Sequence, residues 1–235
     1  MAYTRQQLKQ DKFAETVAEQ VSRALEHQKT LATVAIVALV AVAILAGGWI
    51  YYNQRDQAAS SEIAAALRTY GAPLRPPNAP KQEFMSFTSA KERAEAARKA
   101  FQQVEDKYPH TRAAEFARYF VGVTSFEMGD TANAEKILKQ AADSRDQNLA
   151  ALGRFALASV YRAEGKDADA IKLYQELAER PAATVPKSTA QLELASLYQQ
   201  KEPEEAAKLY QQIQKDNPNS PAAQAAATRL AGLKP

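Results

Sequence analysis

The chain has 235 residues, a formal net charge of +3, no cysteine and two histidines. Without cysteine it can form neither a disulfide nor a cysteine metal site, and two histidines leave little material for a histidine-rich zinc site or a Ser-His-Asp triad. The balance of 30 basic and 27 acidic residues does not suggest a nucleic-acid-binding protein, which needs a basic face.

Residues 1–29 form a predicted cytoplasmic tail. Phe13, Val17, Val21 and Leu25 recur every four residues, and this spacing predicts an amphipathic helix. Such a helix could lie on the inner membrane surface or contact a partner helix. The alternative is a solvated helix that only leads into the following segment.

An apolar run from Leu31 to Tyr52 contains no charged residue. At 1.5 Å per residue a helix over this run is about 33 Å long, enough to cross a hydrocarbon core of about 30 Å. The run closes with Trp49 and two tyrosines, as an interfacial aromatic belt would. We predict an uncleaved transmembrane helix over residues 30–54. A cleaved signal peptide and a buried helix of a soluble protein are the two alternatives.

The charges beside the span predict its orientation. The tail contains five Lys and Arg residues, whereas the first twenty residues beyond the span contain only Arg55 and Arg68. Short flanks rich in Lys and Arg stay in the cytoplasm, and a long domain translocates largely regardless of its charge. The expectation is therefore a single-pass protein of the bacterial inner membrane with a cytoplasmic N-terminus and a periplasmic C-terminal domain.

The span is rich in small residues. Ala43 and Gly47 are four residues apart and share one helix face. Small residues allow close contact between helices in lipid, which predicts that this face packs against a membrane partner. The alternative is that alanine only provides adequate hydrophobicity.

Residues 55–88 are predicted to form a membrane-proximal helix and a proline-rich loop. Four prolines within residues 73–80 prevent a regular helix there. Phe84, Met85 and Phe87 at the end of the loop either pack back onto the domain or form a docking segment. The residues expected on the buried face of the helix are Ala59, Ile63, Leu67 and Tyr70.

A helix is predicted to begin after Ser89. Glu92, three residues on, completes the sequence pattern of a capping box. The residues expected on the buried face of this helix are Ala94, Ala97, Phe101, Val104 and Tyr108.

Residues 89–235 contain an internal repeat and are predicted to form one helical-repeat domain. The segment LASVYRAEGKDADAIKLYQELAERP, which begins at Leu157, recurs as LASLYQQKEPEEAAKLYQQIQKDNP, which begins at Leu194. A weaker copy begins at Val121. A period of about 36 residues is typical of a solenoid of helix pairs. The prediction is an all-α fold.

At these residues the chain resembles the tetratricopeptide repeat family. That family places a small residue and an aromatic on the first helix, glycine at the turn and alanine on the second helix. Arg118 and Arg154 depart from the pattern because they stand where a large apolar residue is usual, and Ser125 stands where a tyrosine is expected. The residues that match the pattern are Ala158, Tyr161, Gly165, Ala170, Tyr174 and Leu177. Together with the predicted span, the resemblance gives the expected fold: an N-terminal transmembrane helix followed by a tetratricopeptide-like helical-repeat solenoid.

The whole layout resembles the YfgM-like ancillary subunits of the Sec translocon. The resemblance implies an inner-membrane anchor with a periplasmic repeat domain that contacts the SecYEG translocon and periplasmic chaperones or emerging clients. It predicts a protein-binding scaffold, not an enzyme, with no cofactor and no small-molecule substrate. The alternative is a repeat scaffold of another envelope machine, for division, secretion or outer-membrane assembly. An enzyme whose site the sequence does not reveal is a third class.

Repeat solenoids bind partners through the wall formed by the first helix of each pair. This predicted wall is apolar at its membrane-proximal end and polar further out. The alternative is that its aromatic residues only pack against the next helix pair or against the Arg55–Tyr70 helix. The predicted wall residues are Phe116, Tyr119, Val123, Phe126, Leu152, Phe155, Ser159, Arg162, Leu192, Ser196 and Gln199.

Overall fold

A computed structural model describes the backbone of residues 5–76, 78 and 84–233, and the side chains of residue 30 and of these residues from 32 onward. Within these residues the regular structure is helical, and the one β-bridge lies outside any strand. The all-α prediction is therefore confirmed. The helices are α1 (Arg5–Tyr70), α2 (Ala90–Lys107), α3 (Arg112–Glu127), α4 (Thr131–Ala142), α5 (Gln147–Ala163), α6 (Asp167–Glu179), α7 (Lys187–Lys201), α8 (Pro203–Asp216) and α9 (Pro221–Ala231).

Contacts divide the chain into two units, Met1–Gln54 and Arg55–Pro235. The stretch Ala32–Tyr70 of α1 contains a window of mean hydropathy 2.5, and none of that window is buried inside the protein. By length and composition this helix can cross a membrane, and its exposure argues against a buried helix of a soluble protein. The predicted amphipathic face of the tail lies among side chains outside the described residues.

The second unit is a series of helices in which each of α2 to α9 packs against the next. The part of α1 from Arg55 onward contributes Ala59 and Ala66 to a buried cluster with Phe101 of α2 and Val121 of α3. This segment therefore takes the place of the first helix in a pair with α2. Further clusters join α3 to α6, then α5 to α8, and finally α7 to α9.

The buried face of this α1 segment differs by one position from the prediction. Ala59, Ile63 and Tyr70 contact the core as expected, but Leu67 is 40% exposed, and Ala66 is buried instead. Ala66 lies nearer than Leu67 to the centre of the face that Ala59 and Tyr70 define. A small side chain at this centre lets α1 approach its neighbours closely.

Side chains and glycines set the helix boundaries. Gly129 and Gly165 have φ of 84° and 74°, which favours glycine at the turns after α3 and α5. The equivalent turn after α7 has no glycine, and Glu202 alone, with φ −138°, separates α7 from α8. Helices α2 to α5 and α9 begin with a side-chain cap; the capping residues are Ser89, Thr111, Asp130, Asp146 and Ser220.

Backbone hydrogen bonds join the two ends of the loop between α1 and α2. The N–H of Arg75 donates to the carbonyl of Phe87 at 2.8 Å, and the N–H of Phe87 donates to the carbonyl of Pro73 at 3.1 Å. The Glu92 carboxylate accepts from the N–H and the hydroxyl of Thr88, the residue before the Ser89 cap. Ser89 itself accepts from the N–H of Glu92. These bonds tie the loop to the first turn of α2.

Replacing Ala170 or Ala206 with leucine is expected to lower the free energy of unfolding by about 1–3 kcal/mol. Both alanines are fully buried, in the clusters that join α5 to α8 and α7 to α9, so a larger side chain overpacks a helix contact. The measurement is the urea midpoint of a soluble fragment that begins at Asn53. Ala168→Leu, on the exposed face of α6, is the control. Neutral behaviour at both buried positions would contradict the alignment of the repeats.

Candidate protein-binding wall

The residues of the predicted wall lie on α3, α5 and α7, the first helices of three successive pairs. All eleven are half-buried except Arg162, which is exposed. Half-burial means that each side chain divides its surface between the core and solvent. What each can offer a partner therefore depends on the contacts that it already makes within the solenoid.

The α3 part of the wall is mainly engaged in packing. Tyr119, Val123 and Phe126 pack against the buried cluster that includes Leu138 and Leu157. The Tyr119 ring also makes an edge contact with Phe120, with ring centroids 5.0 Å apart. Burial raises the pKa of Tyr119, so its phenol stays protonated. Phe116 is half-buried at the start of the same row.

The α5 part of the wall combines packing with a polar contact. Leu152 and Phe155 pack against the cluster that contains Tyr174, and the Phe155 and Tyr174 rings meet edge to face at 5.6 Å. The Ser159 hydroxyl donates to the carbonyl of Phe155 at 3.2 Å and lies 3.3 Å from the Tyr174 hydroxyl. These residues fix the surface of α5 up to Arg162, the next residue of the row.

Three predicted wall residues of α5 and α7 meet around one cavity. Arg162 donates from Nη2 to the Ser196 hydroxyl at 3.3 Å, and the Tyr210 hydroxyl donates to Gln199 Oε1 at 3.5 Å. Leu192, at the other end of α7, packs against the cluster of α7 to α9. The cavity has a volume of about 540 Å³ and is lined by Arg162, Ser196, Gln199, Gln200, Pro203, Gly232 and Leu233.

One acidic residue lies between two arginines beside this cavity. Glu193 accepts from Arg162 Nη1 at 3.2 Å, and its other oxygen lies 4.0 Å from Arg229 Nη2. Arg229 also donates to the carbonyl of Leu192 at 3.2 Å. The three charged groups carry a net charge of +1. Arg229 lies on α9, so this helix also contributes to the site. The sequence analysis did not select Arg229, because α9 follows the last recognisable repeat.

A second, mostly apolar groove of about 400 Å³ lies between α1 and α2. Ala65, Ala66, Ala100 and Val104 are among its lining residues, and Met85 from the loop contributes to it. The loop residues were predicted either to pack back onto the domain or to form a docking segment. Phe87 is half-buried and its backbone forms a β-bridge with Leu74, whereas Phe84 is 58% exposed.

The predicted packing face of the span is open within its own unit. Ala43 and Gly47 are exposed, and apart from the adjoining residues and backbone of its own helix, no described atom lies within 4 Å of where a Cβ on Gly47 would stand. This leaves room for a neighbouring helix at the face. That a partner occupies it stays a prediction.

Among the described residues no group of three or more His, Cys, Asp or Glu side chains is placed to hold a metal ion. The polar groups of the wall are the Arg162 guanidinium, the Gln199 amide and the hydroxyls of Tyr119, Ser159 and Ser196. Their arrangement offers hydrogen bonds and charge to a ligand.

Comparison with known proteins gives matches along most of the chain. The family described as "Tetratricopeptide repeat-like domain" matches residues 24–183, and the family described as "Tetratricopeptide repeat" matches residues 189–220. A comparison with curated protein sequences gave no significant match.

The solved structures of similar fold include a Podosopora anserina protein described as a kinesin light chain with nearly identical TPR-like repeats. It is 16% identical, has a TM-score of 0.55 and covers 76% of this chain and 86% of its own. A point variant of that protein, solved separately, has the same identity and TM-score and is covered over 85% of its length. At this identity the likeness concerns the fold alone.

Proposed function

This chain belongs to the tetratricopeptide repeat-like domain family, and on that premise we propose that it is a membrane-anchored periplasmic scaffold of the Sec translocon. Its repeats indicate a protein–protein interaction scaffold. In the proposed role the protein is a YfgM-like ancillary subunit that links the channel to periplasmic chaperones or emerging clients.

One observation carries the proposal: a helix able to cross a membrane precedes a repeat solenoid in the same chain. The anchor would confine the solenoid to the membrane surface, where its wall would be at high local concentration for neighbouring membrane proteins. The repeats extend from the Arg55–Tyr70 segment of α1 to α9, so the binding surface would begin close in sequence to the anchor.

A reporter enzyme that is active only outside the cytoplasm should be active when fused after Pro235 and silent when fused before Tyr3. The five Lys and Arg residues of the tail favour its retention in the cytoplasm, and the domain after the span is then translocated. The measurement is reporter activity in intact cells. A second reporter that is active only in the cytoplasm is the control and should give the opposite pattern. If both patterns were reversed, the periplasmic location and the proposed partners would be wrong together.

Purification of the tagged full chain in a mild detergent tests the proposed partner. Recovery of the channel subunits SecY, SecE and SecG in fixed ratio to the tagged protein supports the Sec assignment. Recovery of a division, secretion or outer-membrane assembly complex instead would replace it with the alternative scaffold role. An unrelated single-span protein with the same tag, expressed at the same level, is the control for non-specific association.

Exchanging residues 31–52 for a leucine-rich span of equal length should reduce the recovered channel about tenfold. Leucine side chains cover the face of Ala43 and Gly47 and prevent the close helix contact that small residues allow. The measurement is the ratio of channel to tagged protein, with membrane insertion checked by the reporter fusions. Undiminished recovery would assign the association to the repeat domain alone.

A matched pair of point variants separates helix contact from general hydrophobicity. Gly47→Leu fills the small-residue face, whereas Ala41→Leu places the same leucine side chain two residues before Ala43 and therefore on another face. We expect only Gly47→Leu to reduce the recovered channel. Equal losses for both variants would argue against a specific face.

A further inference from the structure

The cavity beside α7 is lined by side chains that have hydrogen-bond donors available to a ligand. Gln199 Oε1 accepts from the Tyr210 hydroxyl, which leaves the amide N–H groups of Gln199 as its free polar atoms. The Ser196 oxygen accepts from Arg162, and among the described residues the Ser196 hydroxyl has no acceptor for its own hydrogen. These donors suit a ligand that accepts hydrogen bonds.

Arg162 adds charge to this set of donors. Its Nη1 and Nη2 bind Glu193 and Ser196, while within the described part of the chain its Nε–H donates to nothing. The Gln200 amide, on the same lining, likewise makes no hydrogen bond with any described residue. Since Glu193 is shared between two arginines, the guanidinium of Arg162 is not neutralised by a carboxylate of its own.

We propose that this cavity binds the carboxylate of an acidic side chain in an extended segment of a protein partner. The proposal rests on the scaffold function proposed above and names the chemistry that the scaffold recognises. The carboxylate would accept from Arg162 and from the amide of Gln199 or Gln200. Such charge-assisted bonds are stronger than bonds between neutral groups.

The remaining lining suits the rest of an acidic residue. Pro203 and Leu233 provide apolar surface for the methylene groups of a glutamate, and the volume of about 540 Å³ exceeds that of a single side chain. The excess leaves room for the adjacent peptide groups, whose carbonyls can accept from Ser196 and the second glutamine. A neutral glutamine in the ligand would satisfy the amides but would forfeit the charge interaction with Arg162.

The test uses the full chain in detergent micelles and two blocked peptides, acetyl-Ala-Glu-Ala-Glu-Ala-amide and the same peptide with glutamine at both positions. The blocked ends remove terminal charges, so only the side-chain carboxylates differ. We expect the dissociation constant of the glutamate peptide to be at least about tenfold lower, the size of one charge-assisted bond. Because Arg162 is partly exposed to solvent, the difference should shrink at high salt.

Two substitutions should move this preference in opposite directions. Arg162→Gln should reduce the difference between the peptides to less than about twofold. Glu193→Gln should tighten the glutamate peptide by about threefold or more, because it removes the carboxylate that competes for Arg162. Arg180→Gln is the control, since Arg180 lies at a different recess with Arg154, Glu176 and Glu179. The helical circular dichroism of each variant checks that it folds.

Equal affinity for the two peptides in the unaltered chain would overturn the proposal. So would a preference that survives Arg162→Gln. A different result would contradict the scaffold function: the absence of membrane partners in the detergent purification. Channel recovery without acidic-peptide preference would therefore reject this site and leave the scaffold function intact.

Discussion

Replacing Phe101 with alanine is expected to lower the free energy of unfolding by about 3–5 kcal/mol. Phe101 is fully buried in the first cluster of the repeat domain. Its ring stacks on Phe120 at a centroid distance of 4.7 Å and meets Tyr70 edge to face at 6.3 Å. The substitution therefore removes a side chain that joins α1, α2 and α3 and leaves a cavity between them.

The loss should be local, because each helix pair of a solenoid contacts only its neighbours. Hydrogen exchange of a soluble fragment that begins at Asn53 should show reduced protection in the Arg55–Tyr70 segment, α2 and α3. Protection of α7 to α9, which share a separate cluster, should change little. Phe84→Ala makes the same chemical change at a site that is 58% exposed and should stay within about 0.5 kcal/mol of the unaltered fragment.

A uniform loss of hydrogen-exchange protection along all helices would contradict the expected local effect. It would mean that the repeat domain unfolds as one cooperative unit. A change below about 1 kcal/mol for Phe101→Ala would contradict the packing itself, because burial of a full aromatic ring contributes more than that.

Replacing Gly153 with alanine is expected to lower the free energy of unfolding by about 3 kcal/mol, at the upper end of the usual cost of overpacking. A Cβ at this position would lie 2.4 Å from the backbone nitrogen of Ala142 and 2.6 Å from the carbonyl carbon of Ala141. Backbone atoms of a packed helix cannot move aside independently. The change would therefore separate α4 from α5.

Gly122→Ala is the matched comparison. A Cβ there would lie 2.8 Å and 2.9 Å from side-chain atoms of Leu138, and a side chain can adjust its rotamer. We expect a loss smaller by about 1 kcal/mol or more than that of Gly153→Ala. The measurement is urea unfolding of the soluble fragment, followed by circular dichroism.

Gly232→Ala is the control without a close contact, since the nearest atom to its added Cβ is 3.5 Å away. Gly232 is the C-cap of α9 and has φ −83° and ψ −11°, which alanine also adopts without strain. Within a helix that has room for the added carbon, alanine is favoured over glycine by about 0.5–1 kcal/mol. A stabilising effect of Gly153→Ala would therefore mean that the close approach of α4 and α5 does not exist in solution.

The buried positions of α2 illustrate what periodicity can predict. Ala94, Ala97, Phe101, Val104 and Tyr108 were expected on one face, and all five are buried. A helix that packs on one side repeats its apolar residues every three to four positions. That pattern is present in the sequence before any partner helix is considered.

Gly153 and Gly122 lie at close helix contacts that the sequence analysis did not predict. Our motif match used the glycines of the turns and did not select these two. Gly153 aligns with Ala117 and Ala190, and Gly122 aligns with Ala158 and Ala195, all four alanines being buried. Gly122 stands at the motif position of Ala158 in the weaker copy, whereas the row of Gly153 lies outside the motif and needed alignment of every position of the repeats.

For the predicted wall, too, the sequence predicted one property and the tertiary structure decided another. Its residues could be selected from the sequence because first helices recur with the repeat. The share of each side chain that packing covers could not be predicted. Tyr119 and Phe155 turn partly into the core, whereas Arg162 reaches α7 to meet Ser196 and Glu193.

The sequence by itself determined the helical fold, the repeat period and the presence of a helix able to cross a membrane, because these depend on patterns within about 36 residues. Only the tertiary structure decided that the Arg55–Tyr70 segment forms the first pair with α2. It alone placed Arg162, Ser196 and Gly232 around one cavity. The physical reason is that such contacts depend on the angles between successive helix pairs. Those angles arise from the packing of all the buried side chains together.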